Sequence, residues 1–210
     1  MKTTELLQLS REQLADRAAS QLEKARADKH KAFITLADSA AAGYSLAVKD
    51  NLCVRGMRCT SSSRVLEDWV APYDATVVAR CRGEFSVIGK TAHDAFGAGS
   101  AGVNCDFGAP VNPVDGKRVP GGSSSGNAVA LALGLCDFAL GTDTFGSVRA
   151  PAAFCGVVGL RPTYGLVSRH GLLDLSMSLD TVGPMARDVD GVALLLSRIG
   201  GADSRDATTM

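Results

Sequence analysis

The strongest constraint on the fold is a set of short apolar runs that alternate with helix-length segments. "YSLAVKD" (44–50) and "FSVIGKT" (85–91) have the length and the β-branched and aromatic content of strands. Between them lies "ATVVARCRGE", with Asp74 placed to cap a helix, so the unit reads β-α-β. An apolar helix, "NAVALALG", follows further on, with Gly134 in position to end it. "CDFALGTD" and "CGVVGLRP" read as two more short strands, and Asp188 opens a last helix, "DVDGVALLLSRIGG", that glycines stop. Upstream, Ser10 and Gln13 form a candidate capping box for an amphipathic helix through Leu14, Ala18 and Leu22. Such alternation predicts an α/β domain whose sheet is covered by helices on both faces. The division is an N-terminal helical segment, 1–43, and a single-domain core, 44–210.

Composition narrows the function classes. The 22 basic and 22 acidic side chains cancel, and no segment interleaves Lys and Arg with aromatics, so a direct nucleic-acid face is not expected. The six cysteines contain no Cys-x-x-Cys pair and only three histidines accompany them, which argues against a zinc site or any other metal centre. No charged start followed by an apolar stretch marks a secretory signal, and no apolar run reaches the ~18 residues of a membrane span. The cysteines therefore read as reduced, mostly buried thiols of an intracellular protein, in the cytoplasm or the mitochondrial matrix.

The stretch "GGSSSG" (121–126) is the chemical focus. As a flexible linker it would be unremarkable in composition, and three chemical readings compete with that one. "GEFSVIGKT" carries the last three positions of a phosphate-binding loop in Gly89, Lys90 and Thr91, but its leading glycine is misplaced and "EFSVI" is too apolar. Gly122, Ser124 and Gly126 fit a G-x-S-x-G nucleophile elbow, with Asp143 and His170 in hydrolase order downstream. An elbow must directly follow a strand, however, and "NPVDGKRVP" is rich in proline and glycine. The third reading joins the loop to "VKDN" upstream and "GTDTFGSVRAPAAFCGVVGLRPTYG" downstream as a serine–lysine site.

On these three segments the chain resembles the amidase signature family of amide hydrolases, from about Tyr44 to its end. The resemblance implies a mixed β-sheet flanked by helices on both faces, C-terminally truncated relative to the family, whose members are more than twice as long. It assigns Lys49 as base, Ser147 as nucleophile and Ser123 as the hydroxyl between them, and implies a cis Gly122–Ser123 peptide that Gly121 and Gly122 make possible. Backbone amides of Thr144, Phe145, Gly146 and Ser147 would receive the oxyanion, while Asp143 and Arg149 would support the turn as an ion pair. The chemistry suits these residue types. A lysine near its usual ~10.4 cannot accept a serine proton at neutral pH, so Lys49 must be desolvated, and a hydroxyl can both donate and accept.

Within the family, "RCTSSSRVLEDWVAPYDATVVAR", "GKTAHDAFGAGS" and "PTYGLVSRHGLLDLSMSLDTVGPMARDVDGVALLL" are most similar to the A subunits of glutamyl-tRNA(Gln) and aspartyl-tRNA(Asn) amidotransferases. That likeness implies glutamine hydrolysis, ammonia supply to other amidotransferase subunits, tRNA reached only through a partner, ATP and Mg²⁺ used by that partner, and no cofactor in this chain. A stand-alone amidase for small or lipid amides, or a non-catalytic assembly subunit, remain open alternatives. The wording departs from the family at Phe145 and Ser125, where glycines are usual, and in "HDAFGAGSAGVN".

Overall fold

The computed structural model describes residues 1–209. In chain order the elements are α1 (Thr3–Leu6), α2 (Arg11–Arg26), β1 (Phe33–Leu36), β2 (Tyr44–Lys49), α3 (Thr76–Cys81), β3 (Phe85–Thr91), α4 (Ser125–Ala132), β4 (Phe138–Asp143), α5 (Arg149–Cys155), β5 (Val158–Gly159), β6 (Thr181–Ala186) and α6 (Val189–Ile199). One sheet takes the order β1-β3-β2-β4-β6-β5. The central strands β3, β2 and β4 run parallel, whereas β1, β6 and β5 join antiparallel, so the sheet is mixed.

Strand periodicity sorts side chains to two cores. Leu46, Val48, Phe138, Leu140 and Val182 pack with α3 and α6 residues such as Val77, Val78, Val192 and Leu195. Ala47, Ala139 and Met185 face the other way, onto Leu22 and Ala25 of α2, Val129 and Leu131 of α4, and Ala152 of α5. Both faces are thus covered. Tyr44, Phe85 and Phe138 form an aromatic cluster with ring centroids 5.3–5.6 Å apart in tilted and edge-on arrangements, each pair worth ~0.5–1.5 kcal/mol beyond the area it buries.

Local signals explain most boundaries. Ser10 Oγ accepts from the Gln13 N–H at 3.2 Å, Gln13 Oε1 accepts from the Ser10 N–H at 2.8 Å, and α2 starts there. Asp188 accepts from the Gly191 N–H and opens α6, and Gly134, at φ 71°, ends α4. Two expectations need correction, and one strand was not foreseen. Asp74 does not cap α3, because the Arg55 N–H and the Arg82 guanidinium occupy its carboxylate. The segment 1–43 is helical only to Arg26, since β1 pairs with β3 and belongs to the sheet. β6 was hidden by the Gly183-Pro184 pair. The Pro184 carbonyl still accepts from the Leu160 N–H at 3.1 Å, so a missing donor interrupts the ladder without ending the strand.

Candidate active site

Parallel pairing of β2 with β4 matches Val48 to Leu140, so their carboxyl ends lie side by side. That end of a parallel sheet is where α/β folds build their sites. Lys49 closes β2 and Asp143 closes β4, and the loop before α4 crosses above both. Gly141 makes the crossing possible: a Cβ there would stand 2.8 Å from Ser124 Oγ and 3.0 Å from a Val148 methyl.

The serine loop is buried in the fold, not an exposed linker. The Gly122–Ser123 peptide is cis and Gly121 has φ 78°. A Cβ on Gly122 would lie 2.0 Å from Asp94 Oδ2, so no other residue fits. Each serine has its own contact. Ser123 Oγ lies 2.6 Å from Lys49 Nζ. Ser124 Oγ bonds both the carbonyl (3.2 Å) and the N–H (3.3 Å) of Thr142, and Ser125 Oγ donates to the Ala92 carbonyl at 3.4 Å. With Ser124 turned into the fold and no strand before it, the nucleophile-elbow geometry is absent.

Lys49 is fully withdrawn from water. Besides Ser123 it contacts Thr142 Oγ1 at 2.8 Å and, more distantly, the Thr142 carbonyl at 3.5 Å. Burial disfavours the ammonium and outweighs the opposing pull of Asp180, Asp94 and Asp143, so the amine is pushed down to about 7. His93 is buried nearby. Its Nδ1 lies 2.7 Å from the Asp94 carbonyl, and burial, with Lys49 adding to it, holds the ring well below the ordinary histidine range.

Ser147 is tied through its backbone to the residue after Ser123, and its hydroxyl makes no hydrogen bond to Ser123 or Lys49 among the described residues. Its carbonyl accepts from the Ser124 N–H at 2.9 Å, and its residue is 8% exposed, at the wall of an open cleft of about 270 Å³. Gly97, Ser100, Gly122, Thr144, Phe145 and Leu175 are among the other walls. Phe145 is 82% exposed and lies outside the left-handed region, so a side chain is accommodated in the turn.

Asp143 and Arg149 form the expected support. The buried Asp143 carboxylate accepts from the Arg149 guanidinium at 3.0 Å and from the N–H groups of Gly146 (2.7 Å) and Val148 (3.1 Å). Burial pushes its carboxyl up, but the Arg149 guanidinium and these amides hold it below the usual range. This corrects one assignment: the Gly146 N–H is consumed by Asp143 and is not free for an oxyanion. The amides of Thr144, Phe145 and Ser147 have no protein acceptor among the described residues.

Two carboxylates that sequence reasoning passed over shape the walls. Asp94 accepts from the N–H groups of Gly102 (3.0 Å) and Asn104 (2.9 Å), folding the 94–104 loop beside Ser123. Asp180 accepts from Thr144 Oγ1 and from the N–H groups of Leu175 (2.7 Å) and Ser176 (2.9 Å), tying the turn to the opposite wall. No cap or turn pattern marks Asp94, whose donors lie eight and ten residues on, and the link from Asp180 to Thr144 spans 36 residues.

Comparison with known proteins identifies the family of the fold. Residues 5–210 match the family model described as Amidase. The chain is 56% identical over 168 residues to the A subunit of the glutamyl-tRNA(Gln) amidotransferase from Symbiobacterium thermophilum, covering 80% of this chain and 34% of that protein. It is 55% identical over 170 residues to the Thermus thermophilus protein of the same name, with 80% and 36% covered. The chain thus spans about a third of the length of these relatives. The crystal structure of the A subunit of glutamyl-tRNA(Gln) amidotransferase from Thermotoga maritima superposes with a TM-score of 0.95 at 43% identity, covering all of this chain and 49% of that one. A 6-aminohexanoate cyclic dimer hydrolase superposes with a TM-score of 0.84 at 30% identity, over 95% of this chain and 45% of that one. With a buried amine beside Ser123 and a sequence match over nearly its whole length, the chain belongs to the amidase family.

Proposed function

We propose that the chain carries the glutamine-hydrolysing chemistry of a tRNA-dependent amidotransferase, with Lys49, Ser123 and Ser147 as a proton-relay triad. The observation that carries this reading is the buried Lys49 amine, 2.6 Å from Ser123 Oγ, with no counter-ion in contact among the described residues. In the uncharged amine, the lone pair accepts the Ser123 proton while Ser123 accepts the Ser147 proton, and Ser147 Oγ attacks the carboxamide carbon. The developing oxyanion is received by the free amides around Thr144 and Phe145, each such donor being worth ~2.7–4 kcal/mol. Collapse returns a proton through Ser123 to the departing ammonia. Water then attacks the acyl-enzyme, passing a proton through Ser123 to Lys49, and collapse returns that proton to Ser147, so amide plus water yields carboxylic acid plus ammonia.

Identity to the A subunits of glutamyl-tRNA(Gln) amidotransferases supports glutamine as the amide. On this reading the ammonia passes to other subunits, which use ATP and Mg²⁺ and hold the misacylated Glu-tRNA(Gln) or Asp-tRNA(Asn); this chain needs no cofactor and acts in the cytoplasm or the mitochondrial matrix. No helix among the described residues is long and apolar enough to cross a membrane. A second reading, a stand-alone amidase for small apolar amides, draws on the exposed Phe145 and Leu175 at the cleft and on the likeness to the cyclic dimer hydrolase.

The test is to incubate the chain with glutamine, with simple amides and with a fluorophosphonate probe, assaying ammonia and mapping the adduct by peptide mass spectrometry. Labelling at Ser147 that falls by about 10²–10⁴-fold in Lys49→Ala supports the triad. Ammonia from simple amides but not glutamine favours the stand-alone amidase. A folded but unreactive chain would leave a non-catalytic assembly role.

A further inference from the structure

The relay needs more of Lys49 than an uncharged state. A neutral amine has two N–H bonds and one lone pair, and the Cε–Nζ bond rotates among three staggered positions, only one of which aims the lone pair at Ser123. Something must hold the other two directions. Thr142 is the only other residue in hydrogen-bond contact with Nζ among the described residues: its Oγ1 lies at 2.8 Å and its carbonyl at 3.5 Å.

Thr142 is itself held from both sides. Asn51 Nδ2 reaches Thr142 Oγ1 at 3.2 Å while also donating to the Leu173 carbonyl at 3.3 Å, so one of the hydroxyl's acceptor positions is filled and the other faces Lys49. Ser124 Oγ bonds both the N–H and the carbonyl of Thr142, which fixes that carbonyl on the amine's side. The second serine of the loop, unused by the relay, thereby gains a task. All four residues are at most 5% exposed, so no bulk water competes for these bonds.

We infer that Thr142 is a positioning residue: by accepting the two N–H bonds of the uncharged Lys49 amine, with Asn51 and Ser124 fixing its orientation, it turns the amine's lone pair onto Ser123. This rests on the triad proposed above. It also separates two effects that usually travel together. A hydroxyl and a carbonyl that accept from the amine favour the ammonium, so removing the hydroxyl makes Lys49 easier to deprotonate while leaving its lone pair unaimed.

The experiment measures the second-order rate of fluorophosphonate labelling at Ser147 against pH for the wild-type chain, Thr142→Val and Thr142→Ser. For Thr142→Val we expect a plateau rate at least about tenfold lower, the worth of one well-placed hydrogen bond, together with a midpoint moved to lower pH. Thr142→Ser should stay within about threefold of wild type with an unmoved midpoint. A Thr142→Val plateau equal to or above wild type overturns the inference, and so does Thr142→Ser being as slow as Thr142→Val, which would mark a packing role. Should Thr142→Val fail to fold, Thr142→Cys, with a weakly accepting thiol of similar size, takes its place under the same criteria. An unlabelled wild-type chain overturns the triad and this role together, whereas a labelled wild type with an unaffected variant overturns this role alone.

Discussion

Lys49 and Lys90 lie on adjacent parallel strands, where Lys90 pairs with Val48 and Lys49 with Thr91, and neither is exposed to water. Their surroundings differ. Lys90 Nζ is 3.2 Å from Asp50 Oδ1 and 3.4 Å from the Arg58 carbonyl. The same carboxylate accepts from the N–H groups of Thr60 and Ser62 and from the Thr60 hydroxyl, so β2, β3 and the 58–62 loop are tied by a satisfied ion pair. One residue back along β2, on the other side of the sheet, Lys49 has hydroxyls for neighbours and no carboxylate within ion-pair distance among the described residues. Equal burial therefore leads to opposite outcomes. With a counter-ion in contact, a buried lysine is a fastening; without one, burial weakens its hold on the proton, which is the state the proposed triad requires.

The comparison breaks most readily at Lys90. Lys90→Met removes the cation and leaves Asp50 buried with its charge unmatched, a situation that costs about 3–5 kcal/mol. Urea unfolding should show that loss, and Lys90→Met combined with Asp50→Asn should recover part of it. A single variant as stable as wild type would mean that the pair is not what fastens the strands.

A second measurement sharpens the Lys49 side. With its pKa lowered to about 7, labelling of Ser147 should rise about tenfold per pH unit below pH 7 and level off above it. A profile still rising toward pH 10 would mean an amine as basic as one in water.

How far the sequence foretells this arrangement depends on the range of each interaction. β2, β3 and β4 were legible because their apolar residues are local and their flanks polar. β1 was not, being four residues long and half-buried, and neither was β6 with its internal proline. Lys49, Ser123 and Ser147 were picked out by the resemblance to the amidase signature family, whose motifs they match, and the chemistry of an amine and two hydroxyls only made that assignment reasonable. Thr142, Asp94 and Asp180 could not, since their tasks are defined by Asn51, Ser124, Gly102, Thr144 and other groups that meet only in the fold. The misassigned Gly146 amide is the exception, because its acceptor stands three residues earlier. Aspartate carboxylates often capture an N–H that close along the chain, and "DTFG" carried that warning.

The smallest expected effect is the most diagnostic. Lys49→Met makes the same change as Lys90→Met one strand away, should slow labelling as steeply as Lys49→Ala, and at or below pH 7 should lower the unfolding free energy by no more than about 1 kcal/mol, because no partner charge is stranded. Its pH dependence carries the argument further. From about pH 7 up to the ~10.4 of a free lysine, the unfolded wild-type chain holds a proton that the folded chain lacks, so wild-type stability rises with pH across that window and is flat below it. The Met variant has no such group, so it should compare best with wild type at or below pH 7 and lose ground steadily toward pH 10. Parallel stability curves for the two proteins would show that Lys49 folds with its proton in place and that hydroxyl neighbours alone do not make it a base.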